Sequence, residues 1–252
     1  MERIVGADIL DELFTEHAES GSITSILYDA YSLGWVLGFE IFRNLLADRE
    51  FFGVIHNYSL PVPRLISRAS FATLNIPELA SQGRVRVIDV FGSRYGVPPI
   101  ANYVIKVDNP SEDTLTPKIE KIYREEIYPI AESRGIVKLV YTLDGTAVMF
   151  GERPTLRLLN WEIAFLARES LKRNILTVVL LNTDVVSERL VAWISSISDT
   201  MIAFRSSIKE DELIEKMLIL KTPSPSFEPT TYEFRLSTEN GRTHNLHFEK
   251  VE

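Results

Sequence analysis

The strongest constraint on the fold is a set of short runs in which apolar residues follow one another instead of alternating with polar ones. Ile175–Asn182 reads Ile-Leu-Thr-Val-Val-Leu-Leu-Asn, and Phe51–His56 and Ile136–Leu143 are built the same way. A strand with one face in water carries polar residues at every second position, so a strand that is apolar on both phases has to be covered on both faces. Further runs of strand length lie at Thr24–Tyr28, Val85–Phe91, Thr200–Arg205 and Leu213–Lys221. Stretches with helical period separate them, over Leu33–Ala47, Val62–Leu74, Lys118–Ser133, Leu156–Lys172 and Ser187–Ser196. This alternation predicts an α/β protein, a three-layer α/β/α sandwich around a mostly parallel central sheet. Near the end, Thr231–Leu236 and His244–Phe248 flank Glu239-Asn240-Gly241, and Asn-Gly between strand patterns predicts an antiparallel hairpin. Antiparallel strands from about residue 200 to 252 would complete a single domain over residues 1–252. The proline-bearing stretches Gly92–Pro117 and Thr222–Pro229 are expected as loops inside it.

Composition removes several chemistries. A chain of 252 residues can bury a core that needs neither disulfides nor a structural metal. The chain has no Cys, which excludes zinc ribbons, iron–sulfur clusters and cysteine nucleophiles. Lys and Arg number 27 against 35 Asp and Glu, a net charge of −8 that speaks against a surface given over to phosphate backbones. The nearest basic grouping, Lys118, Lys121 and Arg124, is interleaved with Glu120, Glu125 and Glu126, the spacing of a salt-bridged solvated helix face. Met1–Ser20 carries six acidic residues and no apolar core, unlike a secretory signal. No apolar run approaches the ~20 residues that cross a bilayer, so a cytoplasmic protein without a membrane partner is expected. With no Cys and Gln82 as the single Gln, depletion of thermolabile side chains points to a heat-adapted source.

Phosphate-binding turns are missing as well. No two glycines are separated by one residue, and none by five positions, so neither G-x-G-x-x-G nor G-x-x-x-x-G-K occurs. No G-x-S-x-G elbow exists. His244 and His247 would fall on opposite faces of a strand, which makes them poor metal partners, and His17 and His56 have no ligand pattern around them. No metal, no cofactor and no catalytic residue is expected.

The order of the segments carries a resemblance. Gly6-Ala-Asp-Ile-Leu-Asp-Glu-Leu-Phe14 resembles the G-x-x-x-L-D-E-L-L opening of the KaiC/RadA branch of RecA-like ATPases. Glu19-Ser-Gly-Ser-Ile23 is similar to the P-x-G-S stretch entering their first strand, and Gln82–Phe91 to their E-G-x-L-x-I-I-D-x-F segment. Ile175–Asn182 with Asp184 resembles V-T-V-L-L-T-S-E, Ile197–Ile202 resembles L-A-D-G-V-I, and Met217–Lys221 resembles the strand ending V-L-K-x-R. The likeness covers nearly the whole chain and implies a RecA-like fold with an ATP site.

Set against that family's phosphate loop, the chain departs sharply. Asp29 stands in place of the first glycine, Trp35 in place of the lysine and Val36 in place of the metal-binding threonine; Gly34 alone is kept. Val36 cannot ligate Mg²⁺, and no residue replaces the lysine charge at the β/γ-phosphates. An anion at position 29 would repel a phosphate by about 4 kcal/mol at 4 Å and an effective dielectric constant near 20, roughly a thousandfold in affinity. After the second strand, His56–Leu60 supplies no carboxylate for an attacking water. The Walker-B position falls on Thr142 or Asp144, and Asp144-Gly145 reads as a turn. Lys221 matches a family lysine that reaches a neighbouring subunit's nucleotide, but its companion arginine is missing from Thr222-Pro223-Ser224. Asp29, Gly34, Trp35, Val36, Asp144 and Lys221 thus mark a degenerate nucleotide site.

The aromatics Tyr28, Tyr31, Trp35 and Tyr58 gather near the first strand ends and could line an apolar cleft for a partner. The expected function is a non-enzymatic RecA/KaiC-like module that binds a protein or peptide, with a homo-oligomer, dimer or hexamer, implied by the resemblance. Two alternatives stay open: an ATP-binding regulator with an unconventional phosphate loop, and a DNA-recombination accessory paralogue. Nucleic acid is disfavoured by the charge.

Overall fold

The structure is a computed structural model and describes residues 3–5, 19–47, 50–239 and 242–251. The Gly6–Phe14 segment of the family likeness lies outside the described residues, as does the Asn240-Gly241 pair.

One sheet runs through the molecule. Seven strands are parallel to one another: β2 (Ile23–Tyr28), β3 (Phe51–Asn57), β4 (Val85–Asp89), β5 (Val104–Lys106), β6 (Gly135–Tyr141), β7 (Ile175–Asn182) and β8 (Thr200–Lys209). Beyond β8 the sheet turns antiparallel through β9 (Glu212–Lys221), β10 (Thr230–Glu239) and β11 (Arg242–Lys250), and β1 (Arg3–Val5) closes that edge against β11. The spatial order is β1-β11-β10-β9-β8-β2-β7-β6-β3-β4-β5. The antiparallel extension is therefore wider than one hairpin, and β8 and β9 each run several residues past the sheet's covered part.

Both faces are covered, for the reason the apolar runs require. Along β7, Leu176, Val178 and Leu180 enter one core while Ile175, Val179 and Leu181 enter the other. The first core is roofed by α1 (Trp35–Ala47), α2 (Val62–Phe71) and α3 (Ile76–Ser81). The second lies under α5 (Leu115–Ile122), a π-turn at Tyr123–Ile127, α6 (Tyr128–Ala131), α8 (Glu152–Glu169) and α9 (Glu188–Ile197). Among the described residues no helix is long and apolar enough to cross a membrane.

Several boundaries differ from expectation, each for a local cause. The run Val85–Phe91 splits, because the Asp89 carboxylate accepts from Gly92 N at 3.0 Å and caps a short helix, α4 (Val90–Tyr95). The expected loop after it contains β5, and α5 begins at Leu115 with Pro117 in its first turn. Leu143 leaves the sixth strand to open α7 (Leu143–Phe150), so Asp144-Gly145 is the first turn of a helix and not a reverse turn. Glycine is needed there because the helix passes the backbone of Tyr58: a Cβ on Gly145 would sit 2.8 Å from the Tyr58 carbonyl oxygen.

Gly34 answers a second close approach. A Cβ there would fall 2.3 Å from Cγ of Phe204, a buried ring in β8. Gly34→Ala is expected to destabilise by about 1–3 kcal/mol through overpacking, read from thermal or urea melting; an unchanged midpoint would show that the helix entry can shift.

Candidate functional site

The carboxyl ends of parallel strands are where open α/β sheets bind ligands. Here the relevant segment is the passage from β2 into α1, residues 29–34. Such a loop normally presents free amides, since the first N–H groups of a helix have no partners within it.

In this chain every amide from 30 to 34 is taken, and mostly by carboxylates of the protein itself. Asp184, just past β7, accepts from Ala30 N at 2.9 Å. Asp29 accepts from Tyr31 N at 3.1 Å with one oxygen and from Ser206 N of β8 with the other. Ser32 N donates to the Asp29 carbonyl at 3.1 Å. Glu215, on β9, accepts from Leu33 N at 3.0 Å and from the Ser32 hydroxyl, whose oxygen in turn accepts from Gly34 N at 2.8 Å. Burial raises the Glu215 pKa, and Asp29 pushes it further up, against the lowering effect of the Ser32 and Leu33 hydrogen bonds.

Trp35 and Val36 are both buried at the helix start. The Trp35 ring meets Phe39 edge-on at 6.1 Å and Phe71 at 5.8 Å, and the Arg68 guanidinium lies 5.0 Å from its centre. Asp144 accepts from Asn182 N at 2.9 Å, tying α7 to the end of β7, and burial raises its pKa. Lys221, at the end of β9, donates to the Ser198 carbonyl and so is engaged inside its own chain. The structure brings Asp29 and Gly34 together through Glu215; Asp144 belongs to the neighbouring strand end.

The four aromatics expected to line a partner cleft do not share one. Tyr28, Trp35 and Tyr58 are buried, and only Tyr31, 72% exposed, faces solvent. Tyr28 and Trp35 belong to the core under α1, whereas Tyr58 belongs to the core on the opposite face of the sheet. Tyr28 ends β2, Trp35 opens α1 and Tyr58 follows β3, and these positions place them in different layers.

Three site residues have roles that the motif reading does not assign: Asp184 and Asp89 lie in segments of the family likeness, and Glu215 lies in none. Glu215 and Asp184 reach the loop across 182 and 154 residues of sequence. Asp89 accepts from Asn57 Nδ2 at 2.8 Å, which places a carboxylate beside the end of β3 although the His56–Leu60 stretch has none. One signal was available: Glu215, Met217 and Ile219 share the buried phase of β9, so a charged residue stood where the strand pattern demands an apolar one. Of the interleaved charges on α5 and the π-turn, Lys121 and Arg124 pair with Glu125 at 3.8 and 3.5 Å, while Glu120 turns to α8 instead.

No family model matches the sequence, and no curated protein does. Among solved structures, the KaiC-like protein PH0186 from the hyperthermophilic archaeon Pyrococcus horikoshii OT3 is similar with a TM-score of 0.66 and 14% identity, over 96% of this chain and 95% of that one. The fold is KaiC-like. The uncharacterized protein PH0321 from Pyrococcus horikoshii, crystallised in complex with an unknown peptide, is similar with a TM-score of 0.76 and 20% identity, over 97% of this chain and 98% of that one.

Proposed function

We propose that this chain is a single KaiC-like module that has given up nucleotide binding and hydrolysis and serves to bind a protein or peptide. One observation carries the reading: the loop amides that would meet phosphates already hold Asp29, Asp184 and Glu215. A triphosphate would have to displace three tethered anions, with Trp35 where a cation is needed and Val36 where a metal ligand is needed. Mg²⁺-nucleotide and these residues do not fit one another. The peptide found on the PH0321 structure, a protein of the same fold, supports a peptide as the class of partner.

The test is thermal melting with and without millimolar Mg·ATP. No shift is expected, whereas a ligand present at ~100 times its dissociation constant adds about 2.7 kcal/mol, several degrees for a chain of this length. A saturable rise in melting temperature would overturn the loss of nucleotide binding. Sedimentation of the same sample decides between monomer and homo-oligomer.

A further inference from the structure

A cavity of about 350 Å³ opens where the π-turn and α6 face the second half of α8. On a chain of net charge −8, four cations border it: Arg124, Arg168, Lys172 and Arg173. Two carboxylates share the rim, and both are engaged. Glu120 accepts from Trp161 Nε1 at 3.0 Å and pairs with Arg168. Glu169 pairs with Lys172 at 2.8 Å and accepts from the Tyr128 hydroxyl at 3.0 Å. Arg173 is left over. Its guanidinium lies 4.1 Å from the centre of the Tyr128 ring, no carboxylate among the described residues pairs with it, and its Nη1 is buried without a hydrogen-bond partner. Among the described residues, Arg124 pairs only with the exposed Glu125, at 3.5 Å.

Arginine carries five N–H donors, and the Arg173 guanidinium borders the cavity with no carboxylate among the described residues to pair with it, so an incoming carboxylate would supply the missing counter-charge. Arginine pairs with carboxylate through two parallel hydrogen bonds, a geometry lysine cannot offer. The walls Tyr128 and Phe165 add apolar surface beside the charges, the mixture that orients a ligand in a pocket of this volume. The π-turn itself is a rare backbone form that recurs at functional sites.

We propose that this cavity receives an acidic side chain, Asp or Glu, of a peptide partner, anchored by Arg173 with Arg124 closing on the same carboxylate. The inference rests on the peptide-binding reading and adds its place and charge. A nucleic-acid strand suits the cavity less, because interleaved carboxylates break any continuous basic track.

The test uses the full chain and two fluorescein-labelled peptides of about a dozen residues. One carries Phe-Glu-Asp-Phe between Gly/Ser flanks, and the other carries Phe-Gln-Asn-Phe. By fluorescence anisotropy at low salt, the acidic peptide is expected to bind at least about tenfold more tightly, roughly 1.4 kcal/mol. Arg173→Ala and Arg124→Ala are each expected to erase most of that preference while the melting temperature holds. Arg124 is exposed, so its variant reads the site even if Arg173→Ala fails to fold. Equal binding of the two peptides, or indifference to both variants, would overturn the proposal, as would a single-stranded oligonucleotide that binds more tightly and displaces the acidic peptide. A selection from a displayed random library separates the two levels. Peptides without acidic residues whose binding ignores Arg173→Ala would sink this site and leave peptide binding standing; an empty selection would sink both.

Discussion

Lys138→Ala is expected to lower the melting temperature by on the order of 10 °C. Lys138 is 1% exposed in the middle of β6, where its ammonium pairs with Glu162 of α8 and lies 5.6 Å from the centre of the Phe165 ring. Burial pulls its pKa down to about 7. Removing one partner of a buried pair strands the other charge, at about 3–5 kcal/mol, and a chain of this size loses about 2–4 °C per kcal/mol. Replacing both partners, Lys138→Met with Glu162→Leu, is expected to restore most of the stability, because apolar side chains of similar volume need no compensation in that layer. His56 sits in the same layer, kept neutral by burial and by the Lys138 charge, with Nε2 2.9 Å from the Tyr123 hydroxyl. Thermal melting of the single and double variants checks the result. If both fall equally, packing and not charge governs the site.

Glu215→Ala is the second large effect, about 2–4 kcal/mol. It leaves Leu33 N and the buried Ser32 hydroxyl without their acceptor in a partly buried loop, at about 1–3 kcal/mol for each orphaned donor. Glu215→Gln keeps an acceptor oxygen and removes a charge that faces Asp29, so its loss stays below about 1 kcal/mol. The pH dependence follows from the raised pKa. Relative to the unfolded chain, the native protein holds the Glu215 proton more tightly, so this group's contribution is fully present below its ordinary value of 4.5. It is lost as pH rises through the raised value. Glutamine does not titrate, and the stability of Glu215→Gln relative to the parent is therefore expected to increase from pH 4.5 upward. Urea melts of both proteins between pH 4 and 8 measure it; a difference that is flat or falling with pH would contradict the burial of that carboxylate.

What the sequence discloses and what it withholds divide along a physical line. The strands β2, β3 and β7 are visible because burial on both faces writes itself into consecutive residues, as at Ile175–Leu181. The end of β4 misleads, since Val90 and Phe91 continue an apolar run while Asp89, a capping residue, is the true boundary. Asp144-Gly145 misleads for a related reason: its glycine serves a close approach to Tyr58 that no local pattern records. In the candidate site, Asp29, Gly34 and Trp35 announce themselves by position after the first strand. Their partners Asp184 and Glu215 arrive from β7 and β9, and only the pairing of β2 with β7 and β8, and of β8 with β9, brings them within hydrogen-bonding distance. The basic cavity between the π-turn and α8 is likewise a product of packing, built from charges that in sequence look like an ordinary solvated helix face.

The tethered carboxylates around residues 29–34 have a consequence for motion. A nucleotide-driven machine cycles because its ligand comes and goes, and each departure leaves the surrounding loop with something to rearrange around. Anions attached to the backbone cannot diffuse away, so on the proposed reading that loop keeps a single state of occupancy. On that reading, a change of shape in this protein would be worked from another surface, by a partner docked there.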